Sequence, residues 1–475
     1  MDELPTLINC SKGADSLTRD YAQMYKDKLC SAAEAVKCIQ SGDWVDYAMF
    51  NGKPIACDKA LADRKAELSD IKITVAVTVP PIPEVLMKDL GGEVFTYNDW
   101  QFSAATRALA DKIPSVFYFP TNFGEAESLH FGTNLEPVKS GSDRRGCFII
   151  RVTPMDKYGY FNFGIHNSVS YSEIRNARNV IVEVNHNIPR ALGGFREQVH
   201  ISEVTYVVES DNEPLYELPV VEPTEVDRKI AENVIPHLHD GCCVQLGIGG
   251  MPNIVGKMIC ETDLKDLGGN TEMLVDAYMD MWESGRLNNR RKNLDEGKLT
   301  YTFALGSKKL YDWVDNNPAV ASCNVGYVNH PTRLANIENL ISINQALEVD
   351  LFTQVNAEST GFKQISGNGG MSDFVNGAFW SKGGRSLICL PSTYTRKDGT
   401  LVSRIVPCFE RGSITTVTRQ MVNFIVTEYG VISIKGAPVW KRAEELINIA
   451  HPQFRDELVK EAQKLKIWRR TNRTV

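Results

Sequence analysis

A chain of 475 residues is longer than one hydrophobic core usually serves, so two or three domains are expected. Its 43% hydrophobic and 23% charged residues are those of a soluble globular protein, and a net charge of −7 argues against nucleic acid as a partner. No apolar run approaches the roughly 18 residues that span a bilayer, and Met1-Asp-Glu-Leu-Pro5 lacks the basic and apolar regions of a signal peptide, so a cytoplasmic protein without a membrane partner is expected.

Residues 1–21 are polar and unpatterned and read as an N-terminal extension. Ser31-Ala-Ala-Glu34 is a capping-box pattern, predicting a helix that ends at Gly42. Runs rich in β-branched and aromatic residues predict strands at 43–48, 71–78, 115–119, 147–152 and 179–184. Helical or loop segments between them point to an α/β fold with mainly parallel sheets. The acidic, proline-bearing stretch 209–225 marks a boundary, giving an N-terminal domain over 22–215 and a C-terminal domain over 216–475. Beyond it the opening pattern recurs. A helix from Asp227 leads through Asp240-Gly241 into an apolar strand, as Ser41-Gly42 leads into Trp44-Val45. Two tandem copies of one α/β unit are expected. Further strands are predicted at 299–303, 340–344, 349–352, 386–390 and 424–427, and a charged helix from Lys441.

Eleven cysteines lie scattered without a C-x-x-C, which suits small buried hydrophobes better than disulfides. His237 and His239 lack a carboxylate or thiol at ligand spacing, so no metal site is expected.

The chemistry concentrates after residue 240. The strand Gly241–Leu246 runs into Gln245-Leu-Gly-Ile-Gly-Gly-Met-Pro-Asn253, followed by apolar residues at helical spacing. Strand, glycine turn and helix aim backbone N–H groups at an anion. The glycine spacing fits neither the dinucleotide nor the P-loop fingerprint. Glu272, in Asn270-Thr-Glu-Met273, is a carboxylate at the edge where such sheets bind ligands. A second glycine cluster, Ser366-Gly-Asn-Gly-Gly370, is followed by Ser381-Lys-Gly-Gly384, and Lys382 offers a point charge for a phosphate.

These motifs, with Val355-Asn-Ala-Glu358, Asp373-Phe374, Pro154–Gly164, Thr427-Glu-Tyr-Gly430 and Ile449-Ala-His-Pro452, resemble the acetyl-CoA hydrolase/transferase family. Within it the likeness is strongest to the branch acting on butyryl-CoA and acetate, or on 4-hydroxybutyrate. The resemblance runs from about residue 22 to the C-terminus. It implies two similar α/β domains with the active site in the cleft between them, and a CoA-transferase of short-chain acid metabolism. Glu272 matches the catalytic glutamate, which forms a glutamyl-CoA thioester in a ping-pong reaction. Coenzyme A is then a substrate and covalent intermediate, with no permanently bound cofactor. Gly370, with Asn253 and Val255, matches the oxyanion donors. Gly247, Ile248, Gly249, Gly250, Met251, Ser366, Gly367 and Lys382 match positions that hold CoA. Phe163, Asn329 and Gln354 are candidates for the substrate pocket. Acyl-CoA and short-chain carboxylates are the implied partners, and a homo-oligomer is the general expectation. Asn270 stands where family members commonly have His; it keeps a hydrogen-bonding side chain but carries no proton at neutral pH. Hydrolysis of a short acyl-CoA through the same glutamate, and a non-catalytic CoA sensor, remain as alternative readings.

Overall fold

The computed structural model describes residues 20–131, 145–247 and 249–468. Most of the N-terminal extension (residues 1–19) and Ile248 lie outside the described residues.

The chain builds two mixed α/β layers in tandem. The first sheet contains β1 (Trp44–Tyr47), β2 (Ile71–Val75), β3 (Phe95–Asp99), β4 (Val116–Tyr118), β5 (Arg145–Val152), β6 (Asn179–Val184) and β7 (Tyr206–Glu209). Their spatial order is β4-β3-β2-β1-β5-β6-β7, every pair parallel. The second sheet contains β8 (Cys243–Leu246), β9 (Gly268–Leu274), β10 (Leu299–Ala304), β11 (Val320–Ser322), β12 (Leu340–Gln345), β13 (Arg385–Cys389), β14 (Phe424–Thr427) and β15 (Gly430–Ser433). Its order, β11-β10-β9-β8-β12-β13-β14-β15, repeats that of the first sheet and adds one antiparallel edge strand. The repeat read at the two helix-to-strand junctions thus extends to whole topologies. Helices cover both faces of a parallel sheet, so its central strands are buried on both sides. All six residues of β10 are buried, as are Cys147 to Val152 of β5.

Four helices position the site: α1 (Glu225–Val234), α2 (Gly250–Glu261), α3 (Val325–Asn329) and α4 (Met371–Trp380). Thr224 caps α1 reciprocally with Asp227, and the segment before it, from Ser210, joins the two sheets without helix or strand. The charged C-terminal stretch forms two helices, Val439–Asn448 and Pro452–Lys464. Pro452 cannot continue the first and opens the second at its initial turn.

The halves differ at their crossover helices. In the first half, the N-terminus of Ala56–Asp63 is closed by Glu183 of β6. This fully buried carboxylate accepts the N–H groups of Ile55, Ala56 and Cys57 at 3.0, 3.1 and 3.0 Å. An internal anion thus meets the positive end of the helix dipole. In the second half the equivalent helix, α2, begins at Gly249 without any side-chain cap.

Candidate active site

In each sheet the strand order reverses beside the first strand, between β1 and β5 and between β8 and β12. Such a reversal opens a crevice at the carboxyl ends of the strands. The two carboxyl edges face each other across a cavity of about 490 Å³. One wall comes from the segments that follow β1 to β4: Phe50, Val77, Trp100, Gln101, Arg107 on the helix Ala104–Ala110, and Phe123. The other comes from the second half: Gly247 after β8, Glu272 and Met273 on β9, Phe303 and Leu305 around the end of β10, Asn344 and Gln345 on β12, and the loop Ser366–Gly370.

The glycine loop is clasped from the first half. Gln101 Nε2 donates to Ser366 Oγ at 2.7 Å, and Arg107 donates to the Ile365 carbonyl. The Asn368 amide donates to the Tyr118 hydroxyl at 3.2 Å, and Phe123 N–H to the Gly369 carbonyl at 3.0 Å. Gly124 N–H donates to Asp373 Oδ2 at 2.7 Å. Gly369 takes φ +53°, a left-handed conformation that glycine adopts without a Cβ penalty. The loop thereby delivers Gly370, the N-cap of α4, to Glu272.

Glu272 is a strand residue near the carboxyl end of β9, partly buried at the cavity. Its Oε2 accepts from Asn329 Nδ2 at 2.5 Å, and the Gly370 N–H donates to the same carboxylate. A Cβ built on Gly370 would overlap both the Glu272 carboxylate and the Asn329 amide, so glycine alone fits. Burial pushes the Glu272 carboxyl up to about 7, against the pull of the Asn329 and Gly370 bonds. Asp373, in the first turn of α4, is raised further, to about 8. Burial is again the main cause; the Gly124 bond opposes it, and the charges of Glu272 and Glu125 add to it.

The cavity has two characters. Phe50, Phe123 and Phe303 form an aromatic cluster with centroids 4.9 Å (Phe50–Phe303) and 5.9 Å (Phe123–Phe303) apart, packed with Val79, Leu305, Val77 and Met273. Gln101, Arg107, Ser366, Asn344 and Gln345 make the polar part. Gln101 Oε1 is buried without a partner among the described residues, an acceptor available to a ligand donor.

Of the residues singled out from the sequence, Gly247, Glu272, Ser366, Gly367 and Gly370 meet at this cavity. Gly249 and Gly250 open α2 beside it, with Gly249 against Gln345. Others are placed elsewhere. Lys382 follows α4 and precedes β13, and its carbonyl accepts from Asn339 just before β12, so it sits at the amino edge of the sheet. It is 83% exposed and ion-paired with Glu338 at 3.2 Å. Asn253 and Val255 lie inside α2 and not in a turn. The Asn253 N–H already bonds the Gly249 carbonyl, and Val255 is fully buried in the core. Met251 is likewise core. Phe163 packs fully buried against the first sheet, among Phe148, Phe161 and Val182. Gln354 is turned onto Asp350, donating to its carboxylate at 2.8 Å. Asn329 is fully buried and holds the Glu272 carboxylate without lining the cavity. The sequence reading missed the entire first-half wall. Its nearest signal was the polar-aromatic run Asn98-Asp-Trp-Gln-Phe102, which overlaps the end of β3, a strand that went unread. Among the described residues, no three His, Cys, Asp or Glu side chains gather to hold a metal, and no helix is long and apolar enough to cross a membrane.

Comparison with known proteins adds independent observations. The family models for the acetyl-CoA hydrolase/transferase N-terminal and C-terminal domains match residues 14–222 and 306–462. A butyryl-CoA:acetate CoA-transferase of Anaerostipes caccae is 46% identical over 95% of this chain and 100% of its own. A 4-hydroxybutyrate coenzyme A transferase of Clostridium kluyveri is 37% identical over 94% of this chain and 99% of its own. Among solved structures, RipA from Yersinia pestis superposes with TM-score 0.83 at 35% identity, covering 94% of this chain and 100% of that one.

Proposed function

The chain belongs to the acetyl-CoA hydrolase/transferase family, and from that premise we propose that it transfers CoA from a short-chain acyl-CoA, butyryl-CoA foremost, to acetate. The observation that carries the reading is the Glu272 carboxylate, held by the Asn329 amide and the Gly370 N–H beside an apolar chamber.

In this reading Glu272 attacks the thioester carbonyl, forming an acyl-glutamyl anhydride and releasing the CoA thiolate. The thiolate attacks the glutamyl carbonyl, leaving a glutamyl-CoA thioester and freeing the first carboxylate. The second acid reverses both steps and departs as acyl-CoA. No proton is transferred and no ATP is needed, because one carboxylate replaces another. When the thiolate attacks the glutamyl carbonyl, the oxyanion forms on Glu272 itself, where the Gly370 N–H would stabilise it; one such donor contributes about 3 kcal/mol. The Phe50, Phe123 and Phe303 cluster suits a short alkyl chain. Arg107 and Gln101 offer polar contacts to the coenzyme, whose binding orients the thioester.

Incubation with butyryl-CoA alone should leave a CoA-sized mass on the peptide containing Glu272, lost in Glu272→Gln. Absence of that mass overturns the mechanism. CoA release that is indifferent to acetate would instead favour the hydrolase.

A further inference from the structure

Glu272 is held by Asn329, and Asn329 is itself held from behind. It ends α3, a five-residue helix too short to keep a fixed angle by its own bonds. Its Nδ2 donates to Glu272, while its buried Oδ1 has no partner among the described residues. No second bond therefore fixes the amide, and its aim depends on the backbone that carries it.

That backbone is held at its start by Val325 N–H to the Ser168 carbonyl and Gly326 N–H to Glu127, and at its end from β9. Asn270, fully buried two positions before Glu272, donates Nδ2 to the Val328 carbonyl at 3.3 Å, in the peptide group joining Val328 to Asn329. Asn270 Oδ1 in turn accepts from Arg333 Nη1 at 2.9 Å. Arg333 is fixed on two further sides. It forms an ion pair with Asp295, and its guanidinium lies 3.9 Å over the Tyr327 ring. Asp295 accepts from the Tyr327 hydroxyl at 2.6 Å and from Thr300 at 2.7 Å. Thr300 is the register partner of Asn270 across β9 and β10, so the chain of bonds closes on itself.

We propose that Arg333 and Asn270 are positioning residues, which hold the Val328–Asn329 peptide so that the Asn329 amide meets the Glu272 carboxylate. The proposal rests on Glu272 as the nucleophile. Position 270 must accept from Arg333 and donate to Val328 at once; an amide does both, a carboxylate or an alkyl group does not. Polarisation by the guanidinium strengthens the donor end of the same amide.

The Asn329 bond favours ionised Glu272, so loosening it lets burial raise the proton affinity of the nucleophile. The acid limb of the rate then moves to higher pH. The other charged groups facing Glu272 and α3 are Asp373 on α4, with Glu125 beyond it, Arg107 across the cavity, and Glu127, which accepts the Gly326 N–H of α3 at 3.1 Å; the substitutions below leave all four in place.

The test follows single-turnover formation of the glutamyl-CoA adduct from butyryl-CoA, as a function of pH, in Arg333→Met, Asn270→Leu, Asn329→Ala and the double variant Asn270→Leu/Asn329→Ala. The two positioning variants are expected to slow the step roughly tenfold to hundredfold at neutral pH and to move the acid limb up by about half a unit to one unit. Because they act through Asn329, the double variant should be no slower than Asn329→Ala alone. A structural role would lower the melting temperature and the active fraction but leave the limb in place. An unmoved limb in folded Asn270→Leu, or full additivity in the double variant, overturns the proposal even if Arg333→Met fails to fold. Failure of the wild-type protein to form the adduct overturns instead the reading of Glu272.

Discussion

Gly370→Ala is the sharpest test of the site. Gly370 has φ −95° and ψ 12°, which alanine adopts without backbone strain. The cost is local. The new Cβ overlaps the Glu272 carboxylate and the Asn329 amide, so the carboxylate must move away from the N–H that it accepts. Losing one such donor costs about 3 kcal/mol in the transition state, or roughly two powers of ten in rate. Butyryl-CoA:acetate exchange should therefore fall about hundredfold, while the melting temperature stays within about 3 °C. Gly369→Ala gives the contrast. Its Cβ would lie 3.5 Å from Glu272 Oε1, an ordinary contact, but its φ of +53° disfavours alanine, so about 1 kcal/mol of stability is lost with little loss of rate. A Gly370→Ala enzyme within threefold of wild type would refute the coupling of Gly370 to Glu272.

As the proposed nucleophile Glu272 must be ionised, so adduct formation should fall as pH drops through about 7. Stability has the opposite sign. With Glu272 raised to about 7 and Asp373 to about 8, the folded protein holds protons that the unfolded chain has released. The melting temperature should therefore rise as pH is lowered from about 8 to 5, less steeply in Glu272→Gln, as thermal scans would show. Phe303→Ala should enlarge the apolar chamber and raise kcat/KM for hexanoyl-CoA relative to butyryl-CoA; an unchanged ratio would place the acyl chain elsewhere. Lys382→Ala should leave KM for acyl-CoA unchanged, because its ammonium is paired with Glu338 at the opposite edge of the sheet. Glu183→Ala should cost about 3 kcal/mol or more by leaving buried N–H groups unpaired, read as a lower denaturation midpoint.

Much of the fold was legible because strands buried on both faces are rich in β-branched and aromatic residues, as Asn179–Val184 and Leu299–Ala304 are. β3 escaped because Phe95–Asp99 alternates buried and half-buried positions and carries Thr96, Asn98 and Asp99. Glu272 and the glycine loop were legible because their chemistry is local. The wall from Phe50 to Phe123 was not, since it reaches the site only when the two sheets meet. Lys382 misled through nearness in sequence. The ten residues of α4 carry the chain about 15 Å, from one edge of the sheet to the other. Asn253 and Val255 lie inside α2, which begins at Gly250 and whose ladder already uses the Asn253 N–H, so nearness to the glycines did not make them free donors.

The carboxylate of Glu183 has a consequence for how this enzyme can diversify. By plugging its own crossover helix, the leading half closes the helix end that stays uncapped in its neighbour, over which it forms a roof. Glu272 and the glycine loop stay in the trailing half, while Phe50 and Phe123 of the apolar cluster hang from the roof. Mutations in the leading half can thus reshape that apolar wall without replacing Glu272 or the Asn329 and Gly370 groups bonded to it.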